Sequence, residues 1–202
     1  MQAVITGDII NSRIEPKKAL NKLKSVLGDY GRSPKDWEIY RGDSFQLLID
    51  KPAESLIIAM RIKASLKMQK ALDARMAVGI GDVSFRAEAV TESNGAAFVR
   101  SGDTFEQLRK EKVNLAVRSP WKEFDNEMNL YLCLALIVMD DWSKASAEFM
   151  SKQLANKDRS QEELAELLGI GQSSVSERKK RAHYDELIRV EKRFRNRVEE
   201  YL

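Results

Sequence analysis

Asp8 and Asp43 are the residues whose types and settings best suit chemistry. Asp8 follows the short β-branched run Ala3-Val4-Ile5 within Thr6-Gly7-Asp8-Ile9-Ile10-Asn11-Ser12, and Asp43 sits in Arg41-Gly42-Asp43-Ser44-Phe45. Two carboxylates brought close together offer hard oxygens to Mg²⁺, which in turn holds phosphate. Backbone N–H groups just after the first strand could cradle that phosphate. Asp8, Asn11, Ser12, Arg13, Arg41 and Asp43 are therefore the candidate nucleotide-binding residues, with Asp8 and Asp43 the candidate metal ligands and no residue named as catalytic. Each has a plainer reading. Gly42-Asp43 is also a good hairpin turn, Asp8 a loop cap, and Arg41 and Arg75 ordinary surface or ion-pair arginines. A single cysteine, Cys133, excludes a disulfide framework, and a single histidine, His183, excludes His-cluster metal chemistry and argues against Ser–His or Cys–His catalysis.

A second constellation lies near the C-terminus, in Arg159-Ser160-Gln161-Glu162-Glu163-Leu164-Ala165-Glu166-Leu167-Leu168-Gly169-Ile170-Gly171-Gln172-Ser173-Ser174-Val175-Ser176-Glu177-Arg178-Lys179-Lys180. Ser160 with Glu163 is a capping box, and Gly169 suits a left-handed helix end. Leu164, Leu167 and Leu168 form an inner stripe, while Ile170 and Val175 plug the angle to a second helix. The pattern predicts a helix-turn-helix. Gln172, Ser173, Ser174 and Ser176 are placed to reach base edges or phosphates, with Arg178, Lys179, Lys180 and Arg181 supplying phosphate charge. A helical hairpin used for packing or protein contact is the alternative. From Trp142 onward there are 13 Lys+Arg against 11 Asp+Glu, a net of only +2. DNA binding would then call for a homodimer.

The elements that must position these residues read β-α-β-β-α-β-α-β up to Pro120. Strand patterns at 3–5, 37–40, 45–49, 75–80 and 113–117 alternate with helical stripes at 16–30, 52–72 and 95–110. That order contains the split βαβ of a ferredoxin-like fold, an antiparallel sheet with helices on one face. After Pro120 only helical patterns follow, over 123–141, 142–154 and the helix-turn-helix, with a last helix from His183 to Leu202 carrying Arg189, Lys192, Arg193, Arg195 and Arg197. The expected organisation is α+β: a ferredoxin-like domain over 1–120, a connecting or dimerising helix over 121–141, and an all-α helix-turn-helix domain over 142–202. Met128, Leu132, Ala135 and Met139 read as core or dimer interface, and Cys133 as core.

The chain has 202 residues, 43% of them hydrophobic, and a formal charge of +3. Wholesale disorder is excluded, and the charge alone does not imply nucleic acid. The opening MQAVITGDII lacks the features of a signal peptide, and the longest apolar run, Leu130 to Met139, is too short to span a bilayer. A cytoplasmic protein without membrane contact is expected.

Over about residues 1–118 the chain resembles the catalytic domain of class III nucleotidyl cyclases and, more distantly, the GGDEF diguanylate cyclases. Asp8-Ile9 and Gly42-Asp43-Ser44-Phe45 stand where those enzymes carry their metal aspartates, and Arg75-Met76-Ala77-Val78-Gly79-Ile80-Gly81 resembles the strand after the second helix. Counted from Gly95, Val99 and Asp103 fall where cyclases place an Asn for the ribose and an Arg for the transition state. These departures argue against cyclisation and leave nucleotide binding without turnover open. Over the whole chain the sequence resembles the bacterial SatD family, through residues 3–13, Arg41-Gly42-Asp43-Ser44-Phe45-Gln46, Gly79-Ile80-Gly81 and Asn94-Gly95-Ala96-Ala97-Phe98-Val99-Arg100. Ala96 and Ser101 depart from that family's pattern. The resemblance implies a cyclase-like domain joined to a helix-turn-helix. The expected function is DNA-binding regulation with a degenerate cyclase-like domain that senses a nucleotide or dimerises. The alternative is a Mg²⁺-dependent nucleotidyl- or phosphoryl-transfer enzyme.

Overall fold

The computed structural model describes residues 1–156 and 158–202. Strand β1 (Gln2–Ile10) runs through the middle of the sheet and is buried on both faces, without a break from Ala3 to Gly7. Ala3, Ile5 and Ile9 point to one core, while Val4 points to a second on the opposite face. Helix α1 (Pro16–Gly28) starts with Pro16, whose locked φ suits a first turn, and buries Ala19, Leu23, Val26 and Leu27. Strands β2 (Trp37–Tyr40) and β3 (Ser44–Ile49) form a hairpin whose turn holds Arg41 and Gly42 at positive φ. A short 3₁₀ turn leads into α2 (Ser55–Lys67), which is buried nearly all round because the sheet covers one side and the C-terminal helices the other.

Strand β4 (Asp73–Gly81) pairs antiparallel with β1. A small hairpin of β5 (Val83–Phe85) and β6 (Asn94–Gly95), too short to show in the sequence, precedes α3 (Ala96–Glu111). Strand β7 (Leu115–Arg118) then pairs parallel with β4. The result is a mixed five-stranded sheet in the order β2-β3-β1-β4-β7.

Two expectations change here. The sheet is not wholly antiparallel, and helices cover both faces. A parallel return from β4 to β7 needs a crossover element. With α1 and α2 already covering the Ile5 face, α3 takes the other, packing Ala97 and Phe98 on Val4 and Leu48. Gly79 permits that approach, since a Cβ there would collide with the Ala97 carbonyl and the Ser101 amide.

The remainder is helical: α4 (Lys122–Met139), α5 (Lys144–Ala155), α6 (Gln161–Leu168), α7 (Gln172–Arg181) and α8 (Tyr184–Tyr201). The chain is therefore α+β, with eight α-helices among the described residues. One hydrophobic cluster runs without a break from Ala3 in β1 to Val198 in α8. Ser65 of α2 hydrogen-bonds Ser151 of α5 at 2.8 Å inside it. The wholly buried Lys63 ammonium of α2 bridges Asp73 of β4 at 2.7 Å and Asp140 after α4 at 2.6 Å. Helix α8 folds back so that Tyr201 stacks on Trp121, ring centroids 4.7 Å apart.

Met128, Leu132, Ala135 and Met139 are buried as expected, but Cys133 is exposed. The run Leu130–Met139 is apolar all round, so its periodicity does not say which side faces inward. Leu167, expected on the inner stripe of α6, is 39% exposed, because α6 presses only Leu164 and Ala165 fully into the core.

Candidate functional site

The register of the sheet brings the two aspartates together. Asp8 near the end of β1 lies directly opposite Ser44 of β3 on one side and Arg75 of β4 on the other. Asp43 immediately precedes Ser44, and its carbonyl accepts from the Ile9 N–H at 3.2 Å. The Ser12 hydroxyl donates to the Asp43 carboxylate. Asp8, Ser12, Arg13, Asp43 and Arg75 line a cleft of about 370 Å³ at this end of the sheet.

The electrostatics of the cleft are unbalanced. One Asp8 oxygen, Oδ1, is buried with no hydrogen-bond partner among the described residues, and so is Nε of Arg75. The other Asp8 oxygen stands 3.8 Å from Arg75 Nη1, beyond hydrogen-bond reach. Burial pushes the Asp8 carboxyl above its ordinary range, Arg75 pulls it back, and the Asp43 carboxylate pushes it up again. An orphaned oxygen beside a second carboxylate fits a cation. Two carboxylates match the ligand share that Mg²⁺ takes from protein when phosphate and water supply the rest. Among the described residues no group of three or more His, Cys, Asp or Glu is arranged to hold a metal, so these residues do not form a cage by themselves.

Asn11 also lines the cleft, but it adopts a left-handed conformation and commits its side-chain N–H to the Ala71 carbonyl at 2.8 Å. Other candidates fall elsewhere. Arg41 sits exposed at the hairpin tip, outside the cleft lining. Val99 and Asp103 are exposed on α3, and Arg100 donates to the Ile80 carbonyl at 2.8 Å. The N-terminal half of α3 thus sends no cation toward the two aspartates. Arg109, further along α3, lies close enough to pull the Asp8 carboxyl down. Sequence reasoning missed it, because only the packing of α3 on the sheet brings it near. It also missed the buried hydroxyl pair Thr6 and Ser101, 2.9 Å apart between β1 and α3.

At the other end of the chain, local chemistry builds a tight helix pair. Ser160 and Glu163 exchange both bonds of a capping box at the start of α6. At its end Gly169 has φ of 64°, and the amides of Gly169 and Ile170 close back on Glu166 and Ala165. Three residues separate the end of α6 from the start of α7, in which Val175 is wholly buried. Gln172, Ser173, Ser174 and Ser176 are exposed, and Gly171 caps the helix with no side chain.

The basic residues of α7 divide. Arg178 donates to Glu148 of α5 at 2.7 Å, Lys179 pairs with Asp185 at 2.8 Å over the Tyr184 ring, and Arg181 pairs with Glu177. Lys180 is exposed and outside any ion pair among the described residues. On α8, Arg193 and Arg197 pair with Glu127 of α4, and Arg195 with Glu191. His183 is the left-handed joint before α8. None of the described helices is long and apolar enough to cross a membrane.

A family model described as the SatD family matches residues 2–199. The chain belongs to the SatD family. The match takes in both the aspartate cleft and the α6–α7 pair, so both belong to one family unit. No curated protein matches the chain.

Proposed function

We propose that this SatD-family chain is a cytoplasmic DNA-binding transcriptional regulator in which α6 and α7, supported by α5, act as a helix-turn-helix. The observation that carries the reading is the tight α6–α7 turn, which buries Leu164 and Val175 while leaving Gln172, Ser173, Ser174 and Ser176 on the surface. Short polar side chains at the start of a second helix are those that reach base edges in a major groove. The uncapped N–H groups of the first turn of α7 favour a backbone phosphate. Lys180 is the basic side chain freest to add a phosphate contact, whereas Arg178 positions α7 on α5. The sheet domain, whose β2-β3-β1-β4 core has the order of a ferredoxin-like sheet, serves as the sensing or dimerising part. Capture of sheared genomic DNA at two salt concentrations tests this. Fragments enriched by the wild type and lost in Ser173→Ala/Lys180→Ala support it; no enrichment at either salt makes the α6–α7 pair a packing or protein-contact element.

A second reading has its own observation, the unpartnered Asp8 Oδ1 beside Asp43. In it the cleft binds a nucleotide phosphate through Mg²⁺ held by Asp8 and Asp43, with Arg75 facing the phosphate. Such binding would give the regulator an effector. A Mg²⁺-dependent rise in melting temperature with nucleoside triphosphates, absent in Asp43→Ala, is the expected result. No rise would leave the cleft a structural ion-pair site.

A further inference from the structure

Helix α4 turns a second apolar face outward. Leu130, Leu134 and Ile137 are 59%, 57% and 71% exposed, with Cys133 exposed between them. They recur at i, i+4 and i+7 and so share one side of the helix. Among the described residues these are three of the nine exposed large apolar side chains, gathered on two turns of one helix. A groove of about 730 Å³ opens alongside, between α3, β7 and α4, with Leu108, Val113, Leu115 and Ile137 in its lining. A contiguous exposed apolar surface of this kind marks an interaction site.

The shape of the neighbouring sheet edge says what kind of element fits. Strand β7 is the outer strand beside β4, and its free edge could in principle accept another strand. The Asn129 side-chain amide closes it: Oδ1 accepts from the Val117 N–H at 2.8 Å and Nδ2 donates to the Val117 carbonyl at 2.9 Å. An added strand would have to break that pair. A helix laid on α4 and into the groove would not.

The stripe is also self-complementary. Leu130 and Ile137 lie equally far from the midpoint between Cys133 and Leu134. A twofold axis at that midpoint sets Leu130 against the second copy's Ile137 and Cys133 against its Leu134, with the helices antiparallel and their dipoles opposed. It also brings the end bearing Lys122 toward the end bearing Asp141. Both are exposed and outside any ion pair among the described residues. We propose that a second copy of this chain packs its α4 antiparallel on the Leu130–Leu134–Ile137 stripe, making the homodimer that the DNA-binding reading calls for. The proposal rests on that reading only for its purpose, not for its geometry.

The test needs no DNA. Light scattering on the wild-type chain should give twice the 23.0 kDa monomer mass. Leu134→Glu and, separately, Ile137→Glu should each return the monomer mass with unchanged helical content, since both side chains face solvent in the single chain, and with a melting temperature that no longer rises with protein concentration. A short bis-maleimide should join Cys133 to Cys133, the chain's only thiols, and the covalent dimer should disappear in Leu134→Glu. A wild-type monomer, a dimer that survives both substitutions, or a dimer that the reagent fails to link would each overturn the proposal. A wild-type monomer that still enriches DNA would overturn it while sparing the regulator. A dimer linked through Cys133 that enriches no DNA would do the reverse.

Discussion

The Arg178 guanidinium donates to the Glu148 carboxylate at 2.7 Å, tying α7 to α5. That bond separates two kinds of basic residue within one cationic run. Arg178 is half-buried and occupied, while Lys180, two residues on, is free at the surface. The two should therefore behave differently when removed.

Lys180→Ala should leave the melting temperature unchanged and lower the salt slope of DNA affinity by about 1, the loss of one phosphate contact. Arg178→Ala should lower stability by about 1 kcal/mol by releasing the half-buried pair, and weaken DNA binding through misplaced helices. Glu148→Gln should reproduce the DNA defect without touching a DNA-facing residue. Thermal melts beside a salt titration of a bound fragment separate these outcomes.

The turn between α6 and α7 depends on a left-handed residue. Gly169→Ala should cost about 1–2 kcal/mol, the penalty for a Cβ in that conformation. Denaturant melts measure the loss. Gly171→Ala, at an ordinary negative φ with only the Ser173 side chain near, should be close to neutral.

Lys63 is wholly buried between Asp73 and Asp140. Lys63→Ala removes one partner of a buried pair and opens a cavity, and should cost about 3–5 kcal/mol. Lys63→Met/Asp73→Asn should recover most of that, because Met fills the space and Asn can still accept from the Ala74 N–H. Urea unfolding of the single and double variants decides it.

Burial holds the Asp8 carboxyl above its ordinary value of 3.8, so the folded chain keeps this proton longer than the unfolded one. Stability owed to that proton is present at low pH and is lost as pH rises through the raised value. Asp8→Asn should therefore melt progressively higher relative to the wild type as pH increases from 3.8 upward. Mg²⁺ binding at the cleft, which needs the ionised form, should strengthen over the same interval. Melting curves across pH, with and without Mg²⁺, follow both effects.

Much of this protein is written locally. The Ser160–Glu163 capping box, Gly169 at the helix end and the buried Val175 are short-range devices, so three or four neighbouring residues determine them. The five strands of the main sheet and the helices before Pro120, and the turn at Arg41-Gly42, follow from burial pattern, periodicity and turn chemistry in the same way, whereas the short β5–β6 hairpin does not. Even the meeting of Asp8 and Asp43 is implied by strand order, because a central first strand must run beside the hairpin.

What the sequence alone could not decide are the choices that depend on what lies opposite. Helix α3 took the second face of the sheet because the first was already full. Cys133 came to face solvent because an all-round apolar helix turns inward whichever side its neighbours can cover. Arg178 became a strut because α5 carries Glu148 at the right height, while Lys180, alike in charge, stayed free. Local rules set which elements form; the competition among distant surfaces for one core set which side of each element is left for other molecules.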